Sequence, residues 1–224
     1  MSYQPKDAFY KKAKKEGYRS RAAYKLMELA RRFRLIKPGD RVLDLGAAPG
    51  GWLQVAAELA GPKGKVVGID LQPIAPLADA NVVVLQGDAT RAESKAKVKE
   101  MLGGSADCVL SDLAPRLSGI RDADISRSLE LVRMAHAIAR ELLRPGGSFL
   151  AKTFVADELR DFSDELKRDF ASVERTRPEA TRKGSSEIYF CRTSARIASA
   201  CWRAPVSSRC FRCGICPLRH LREK

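Results

Sequence analysis

From residue 41 onward the chain alternates short apolar runs with longer stretches in which apolar positions recur every three or four residues. RVLDL (41–45), KVVGI (65–69), NVVVL (81–85), ADCVLS (106–111) and GSFLA (147–151) are apolar throughout rather than alternating, as strands covered on both faces are. Helical spacing lies between them at about 51–60, 91–102 and 126–143, the last with Leu129, Val132, Ala135, Ile138 and Leu142 on one stripe. His136, in that long helix, reads as a helix-surface residue. This alternation predicts a doubly wound α/β sheet. Beyond 151 come a polar helix (157–169), a strand ASVERTR (171–177) and a strand EIYFC (187–191). The gap between the last two is too short for a parallel crossover, so they should pair antiparallel. Ahead of the sheet, residues 20–34 place Ala23, Leu26, Met27, Ala30 and Phe33 on one face, with Arg21, Lys25, Arg31, Arg32 and Arg34 around it.

A chain of 224 residues accommodates one domain and an appendage. With 45% apolar and 30% charged residues it is neither wholly disordered nor membrane-spanning in composition. The first fifteen residues hold Lys6, Lys11, Lys12, Lys14 and Lys15 without the apolar core of a signal peptide, so the expected location is a reducing cytoplasm. The net charge of +14 is uneven: residues 1–41 carry +9, residues 193–224 carry +6, and the body between is close to neutral. Two basic ends fit a polyanionic partner, nucleic acid or an acidic membrane surface, and equally a plain solubility device.

The strand RVLDL runs directly into GAAPGGW (46–52), a glycine-rich strand-to-helix turn at the edge where open α/β sheets bind ligands. Its spacing is not GxGxxG, and Pro49 fixes φ where a dinucleotide loop needs freedom, which argues for a ligand without a diphosphate. Asp70, closing the second strand, stands where a carboxylate accepts both hydroxyls of an adenosine ribose. Asp88, in QGDAT after the third, could take an adenine amino group or cap a helix. NAD and S-adenosylmethionine both contain adenosine. Asp112 after the fourth strand, Lys152 at the end of the fifth and Glu187 at the start of the last converge on one cleft if that last strand is antiparallel. A lysine closing an apolar strand needs such carboxylates. A structural ion cluster is the competing reading.

These segments, GYRSRAAYKL, LDLGAAPGGW, GIDLQP, QGDAT, SDLAP, GGSFLAK and SEIYF, in this order over about residues 8–192, resemble the FtsJ-type ribosomal RNA large-subunit methyltransferases. The resemblance implies a Rossmann-like class I fold, a seven-stranded mostly parallel sheet with its last strand antiparallel, and transfer of a methyl group from S-adenosylmethionine to a uridine ribose 2′-hydroxyl. It implies a catalytic tetrad at Lys25, Asp112, Lys152 and Glu187, and cofactor contacts at Gly50, Trp52, Asp70, Asp88 and Asp112. The expected partner is ribosomal RNA, with the protein a monomer. Transfer RNA is the rival substrate, and a catalytically silent RNA chaperone is the rival from another class. The basic residues 1–40 then become RNA-contacting helices: Arg19, Arg21, Arg31, Arg32 and Arg34 flank Lys25, and Arg182 and Lys183 precede Glu187.

Cys108 and Cys191 sit in apolar strands and read as inert buried thiols. Cys201, Cys210, Cys213, Cys216 and His220 fall in the tail, residues 193–224. The spacing lacks the paired knuckles of a structural zinc site, so the expectation is no metal and a disordered basic tail that contacts RNA.

Overall fold

A computed structural model describes residues 8–182 and 184–192. Lys183 and the cysteine-rich tail, with the metal and disorder expectations attached to it, lie outside the described residues. Two helices, α1 (Ala8–Lys15) and α2 (Ala22–Phe33), precede the sheet. Then follow β1 (Arg41–Leu45), α3 (Gly51–Ala60), β2 (Lys65–Asp70), β3 (Val82–Gln86), α4 (Ala92–Leu102), β4 (Ala106–Ser111), α5 (Arg121–Leu142) and β5 (Leu143–Phe154). The chain continues through α6 (Leu159–Asp169), β6 (Glu174–Thr176) and β7 (Glu187–Arg192).

The seven strands lie in the order β3-β2-β1-β4-β5-β7-β6. The first five are parallel, and β7 enters antiparallel between β5 and β6. The expected mixed sheet is therefore present. β6 is only three residues long, with Glu174 and Arg175 exposed and Thr176 partly so. β5 begins four residues before GSFLA, and α5 starts at Arg121, earlier than its apolar stripe announces.

Side chains alternate across the sheet with a period of two, which sorts the strand residues onto two faces. Leu43, Leu45, Val67, Val109, Phe149, Ala151 and Phe190 pack with α4, α5 and α6. Val42, Val66, Cys108, Leu110, Leu150, Tyr189 and Cys191 pack with α2 and α3. Both thiols are buried, as their strands imply. By the same parity Asp44, Asp70, Asp112 and Lys152 belong to the α2/α3 face, together with Glu187 at the start of β7. No helix among the described residues is long and apolar enough to cross a membrane.

His136 corrects one expectation. It is only 7% exposed, not a surface residue. Its ring lies among Phe149, Phe162 and Phe170, with centroids 5.7–6.1 Å away. Its Nε2 is 3.1 Å from Asp169, the last residue of α6, and Arg140 Nε is 3.2 Å from the same carboxylate oxygen. The position falls four residues after Val132, inside the buried stripe of α5, and burial of a polar ring there is made tolerable by the carboxylate. Truncating one partner of a buried ionic group strands the others. Asp169→Ala is expected to lower unfolding free energy by about 3 kcal/mol, read as a lower urea midpoint at unchanged slope.

Candidate active site

The site forms at the carboxyl edge of the parallel strands, beside the switch point between β1 and β4. Antiparallel pairing sets Lys152 opposite Tyr189, and Phe154 opposite Glu187. Lys152, Tyr189 and Glu187 therefore project toward α2, which carries Lys25. Lys152 Nζ is 2.7 Å from both Asp112 Oδ1 and the Asp112 carbonyl oxygen. Lys25 Nζ donates to Glu187 Oε2 at 2.5 Å. The four residues are thus brought together as two ion pairs, and each lysine is only 6% exposed. Burial raises the Glu187 pKa, but the hydrogen bond from Lys25 and the nearby charges of Lys25, Lys152 and Arg21 outweigh it and hold the group below its ordinary value.

Tyr189 is the member that the sequence did not disclose. Its hydroxyl donates to Asp112 Oδ1 at 3.2 Å, the atom that also receives Lys152. Burial first, then the charges of Asp112 and Glu187, push its pKa well up, so it stays a neutral donor. In EIYFC it reads as one more apolar strand residue. The usable signal was its position two residues after Glu187, on the same face. Lys25 Nζ lies 5.8 Å from its ring centroid.

The connection before β7 is tied to α2, which positions Glu187 against Lys25. Arg21 donates to the Ala180 carbonyl at 2.8 Å, and the Glu179 amide donates to Glu28 at 2.9 Å. Trp52 braces the other side: its indole N–H donates to the Ala22 carbonyl at 2.8 Å and its ring lies 6.2 Å from that of Tyr189. At 3% exposure Trp52 joins α2, α3 and β7.

Asp70 is placed as expected, and its carboxylate accepts the amides of Ala48 at 3.0 Å and Gln72 at 2.8 Å, fixing the glycine-rich turn. Asp88 does not cap the following helix, whose N-cap is Arg91; its Oδ1 accepts the amide and hydroxyl of Thr90, which lower its pKa. Gly50 has φ of +108° and no room for a side chain. A Cβ there would lie 2.9 Å from Arg19 Nη1, and one on Gly51 would lie 2.3 Å from Ser20 Oγ. These two glycines admit the segment before α2, a role their sequence context did not reveal.

Of the candidate RNA-contacting residues, Arg31, Arg32, Arg34 and Arg182 are exposed and Arg21 is half-buried. Arg34 closes α2 in the left-handed conformation, φ 50°. Arg19 is turned inward, its guanidinium donating to the carbonyls of Pro49, Ala75 and Pro76 at 3.2, 2.6 and 2.5 Å.

Asp44 was passed over as part of an apolar strand. It is completely buried, and neither carboxylate oxygen has a hydrogen-bond partner among the described residues. Burial, with Asp112 and Asp70 on the same face, raises its pKa well above the ordinary value. Asp70 and Asp112, partly exposed at this edge, suit a cationic or hydroxyl-bearing ligand, whereas Asp44 is enclosed beneath them.

The fold is a class I methyltransferase architecture, with a lysine–carboxylate cluster at the carboxyl edge of its sheet. The FtsJ-like methyltransferase family model matches residues 18–194. The chain belongs to that family. A Ribosomal RNA large subunit methyltransferase E from Methanothrix thermoacetophila is 54% identical over 189 residues, covering 84% of this chain and 72% of that protein. One from Syntrophobacter fumaroxidans is 51% identical, covering 84% and 95%. Among solved structures, a Plasmodium falciparum protein described as a ribosomal RNA methyltransferase superposes with a TM-score of 0.70 at 30% identity, covering 80% of this chain and 98% of that one. Aeropyrum pernix fibrillarin with bound S-adenosyl-L-methionine, at 20% identity and a TM-score of 0.51 over 76% of each chain, shares the fold.

A carboxyl whose pKa is raised on folding stabilises fully below its unfolded value and loses that contribution as pH rises toward the folded value. Asp44, ordinary near 3.8 when unfolded, therefore costs stability increasingly from about pH 4 upward. Thermal melts of Asp44→Asn and wild type from pH 4 to 8 should diverge in favour of the variant as pH rises. Parallel curves would mean that Asp44 is ionised in the folded state.

Proposed function

We propose that this protein transfers a methyl group from S-adenosylmethionine to a ribose 2′-hydroxyl of a uridine in large-subunit ribosomal RNA. The observation that carries the reading is the pairing of buried Lys152 with Asp112 at 2.7 Å, next to the glycine-rich turn that Asp70 fixes. Bound S-adenosylmethionine supplies an electrophilic methyl on a sulfonium centre. Asp70 would accept the hydroxyls of its ribose, Asp88 would meet the adenine amino group, the Gly50 turn and Trp52 would line the pocket, and Asp112 would face the cationic end.

The remaining work is placement and charge. Aligning the ribose oxygen in line with the bond to be broken contributes ~7–11 kcal/mol. Lys152, holding Asp112 with two N–H donors, presents its third to that oxygen and neutralises the charge that develops as the hydroxyl proton passes to solvent. Tyr189 steadies Asp112 from the other side. Lys25 and Glu187, locked together, fix the ribose against Lys152.

The exposed Arg31, Arg32, Arg34 and Arg182 offer positive charge to RNA phosphates, an attraction that weakens as salt rises. The protein works in the cytoplasm as a monomer, on RNA assembled in the large ribosomal subunit. Lys152→Ala should lower turnover by a factor of about 100–1,000, while cofactor affinity by calorimetry stays within about threefold. Loss of cofactor binding in that variant would make Lys152 structural. Mass-spectrometric mapping of ribose methylation on large subunits and on bulk transfer RNA identifies the substrate; methyl groups only on transfer RNA would overturn the ribosomal assignment.

A further inference from the structure

The segment 71–80 follows Asp70 and forms the wall beside the carboxylate that accepts the cofactor's ribose. It has no regular structure, and Leu71, Gln72, Pro73, Ala75 and Pro76 are exposed. Its two ends are held locally, by the Gln72 amide on Asp70 and by the Val82 amide on Asp79. Among the described residues, the side-chain hydrogen bonds that reach its middle come from Arg19: 2.6 Å to the Ala75 carbonyl and 2.5 Å to that of Pro76. The same guanidinium donates to the Pro49 carbonyl, in the turn itself, at 3.2 Å. Its backbone is fixed in turn, since the Arg19 amide donates to Gln54 Oε1 at 2.9 Å and Gln54 returns a bond to the Gly17 carbonyl at 3.0 Å.

We infer that Arg19 is a positioning residue for the cofactor, a clamp that closes the 71–80 wall onto the Gly50 turn, and not an RNA phosphate contact. The planar fork of a guanidinium is required, because one side chain has to satisfy three carbonyls on two separate loops. Gly50 provides the space, since a Cβ there would collide with the arm that reaches across. Arg19 also begins the stretch that leads into α2 and Lys25. The clamp thus joins the wall of the donor pocket to the helix that carries a member of the tetrad.

This inference rests on the reading of that edge as the S-adenosylmethionine site, and its test separates the two. Binding of S-adenosylhomocysteine, the non-reacting product, is measured by calorimetry on the full chain for wild type, Arg19→Ala and Arg19→Lys. RNA binding is measured alongside over a salt series. The clamp predicts that Arg19→Ala weakens the nucleoside ligand tenfold or more and that Arg19→Lys, with its charge but no fork, recovers at most about threefold. The slope of RNA affinity against salt should not change. Unaltered ligand affinity with a salt slope reduced by about one contact would overturn it and make Arg19 a phosphate ligand. Full recovery by Arg19→Lys would overturn the requirement for the fork. Absence of ligand binding by wild-type protein would instead remove the cofactor reading beneath it. A general loss of stability is told apart by thermal melts, because it lowers the midpoint without changing the affinity of the folded protein at 20 °C.

Discussion

The site depends on the direction in which β7 enters the sheet. A parallel strand in that place would begin at the opposite edge and carry its first residue away from the ends of β4 and β5. Running antiparallel, it sets Tyr189 opposite Lys152, with Glu187 one pleat further toward the cleft. Because alternate residues share a face, this register determines at once which side chains meet α2 and which enter the core around Phe190. A one-residue slip would exchange Tyr189 for Phe190 at the cleft. The buried lysines are tolerated only because that register supplies their acceptors.

Much of this was legible in the sequence, for identifiable reasons. Strands covered on both faces betray themselves as unbroken apolar runs, so β1, β2, β4 and β7 lie within a residue of their expected bounds. Polar residues at the ends of such runs, Asp70, Asp112 and Lys152, are expensive unless used, which is why they stood out. Tyr189 and Asp44 did not, for opposite reasons: an aromatic residue is ordinary in a strand, and Asp44 is enclosed by leucines in a segment that reads as a strand running into a turn. His136 was misplaced, and the carbonyl contacts of Arg19 stayed hidden, because a charged or polar side chain near a helix reads as solvent-facing by default. The decisive fact in each case, three backbone carbonyls or a carboxylate on another helix, comes from a part of the chain that local pattern does not reach.

The basic amino-terminal region serves two purposes that its charge alone does not separate. Arg21 and Glu28 anchor the connection before β7, and Lys25 faces Glu187, while Arg31, Arg32 and Arg34 remain open to solvent. Basic residues are thus divided between anchoring the domain's own backbone and facing solvent, and the division follows position along α2, with the anchoring side chains in its first turns and the open arginines at its carboxyl end.

Trp52 offers an experimental handle that follows from its place. It is the sole indole among the described residues, the other, Trp202, lying in the tail. Its ring borders Tyr189, and its N–H is tethered to the first residue of α2. A chain ending at Arg192 would carry one tryptophan, selectively excited at the red edge of the aromatic band and seated where the glycine-rich turn, α2 and β7 adjoin. Its emission would report optically on how those three parts move together, without an added label.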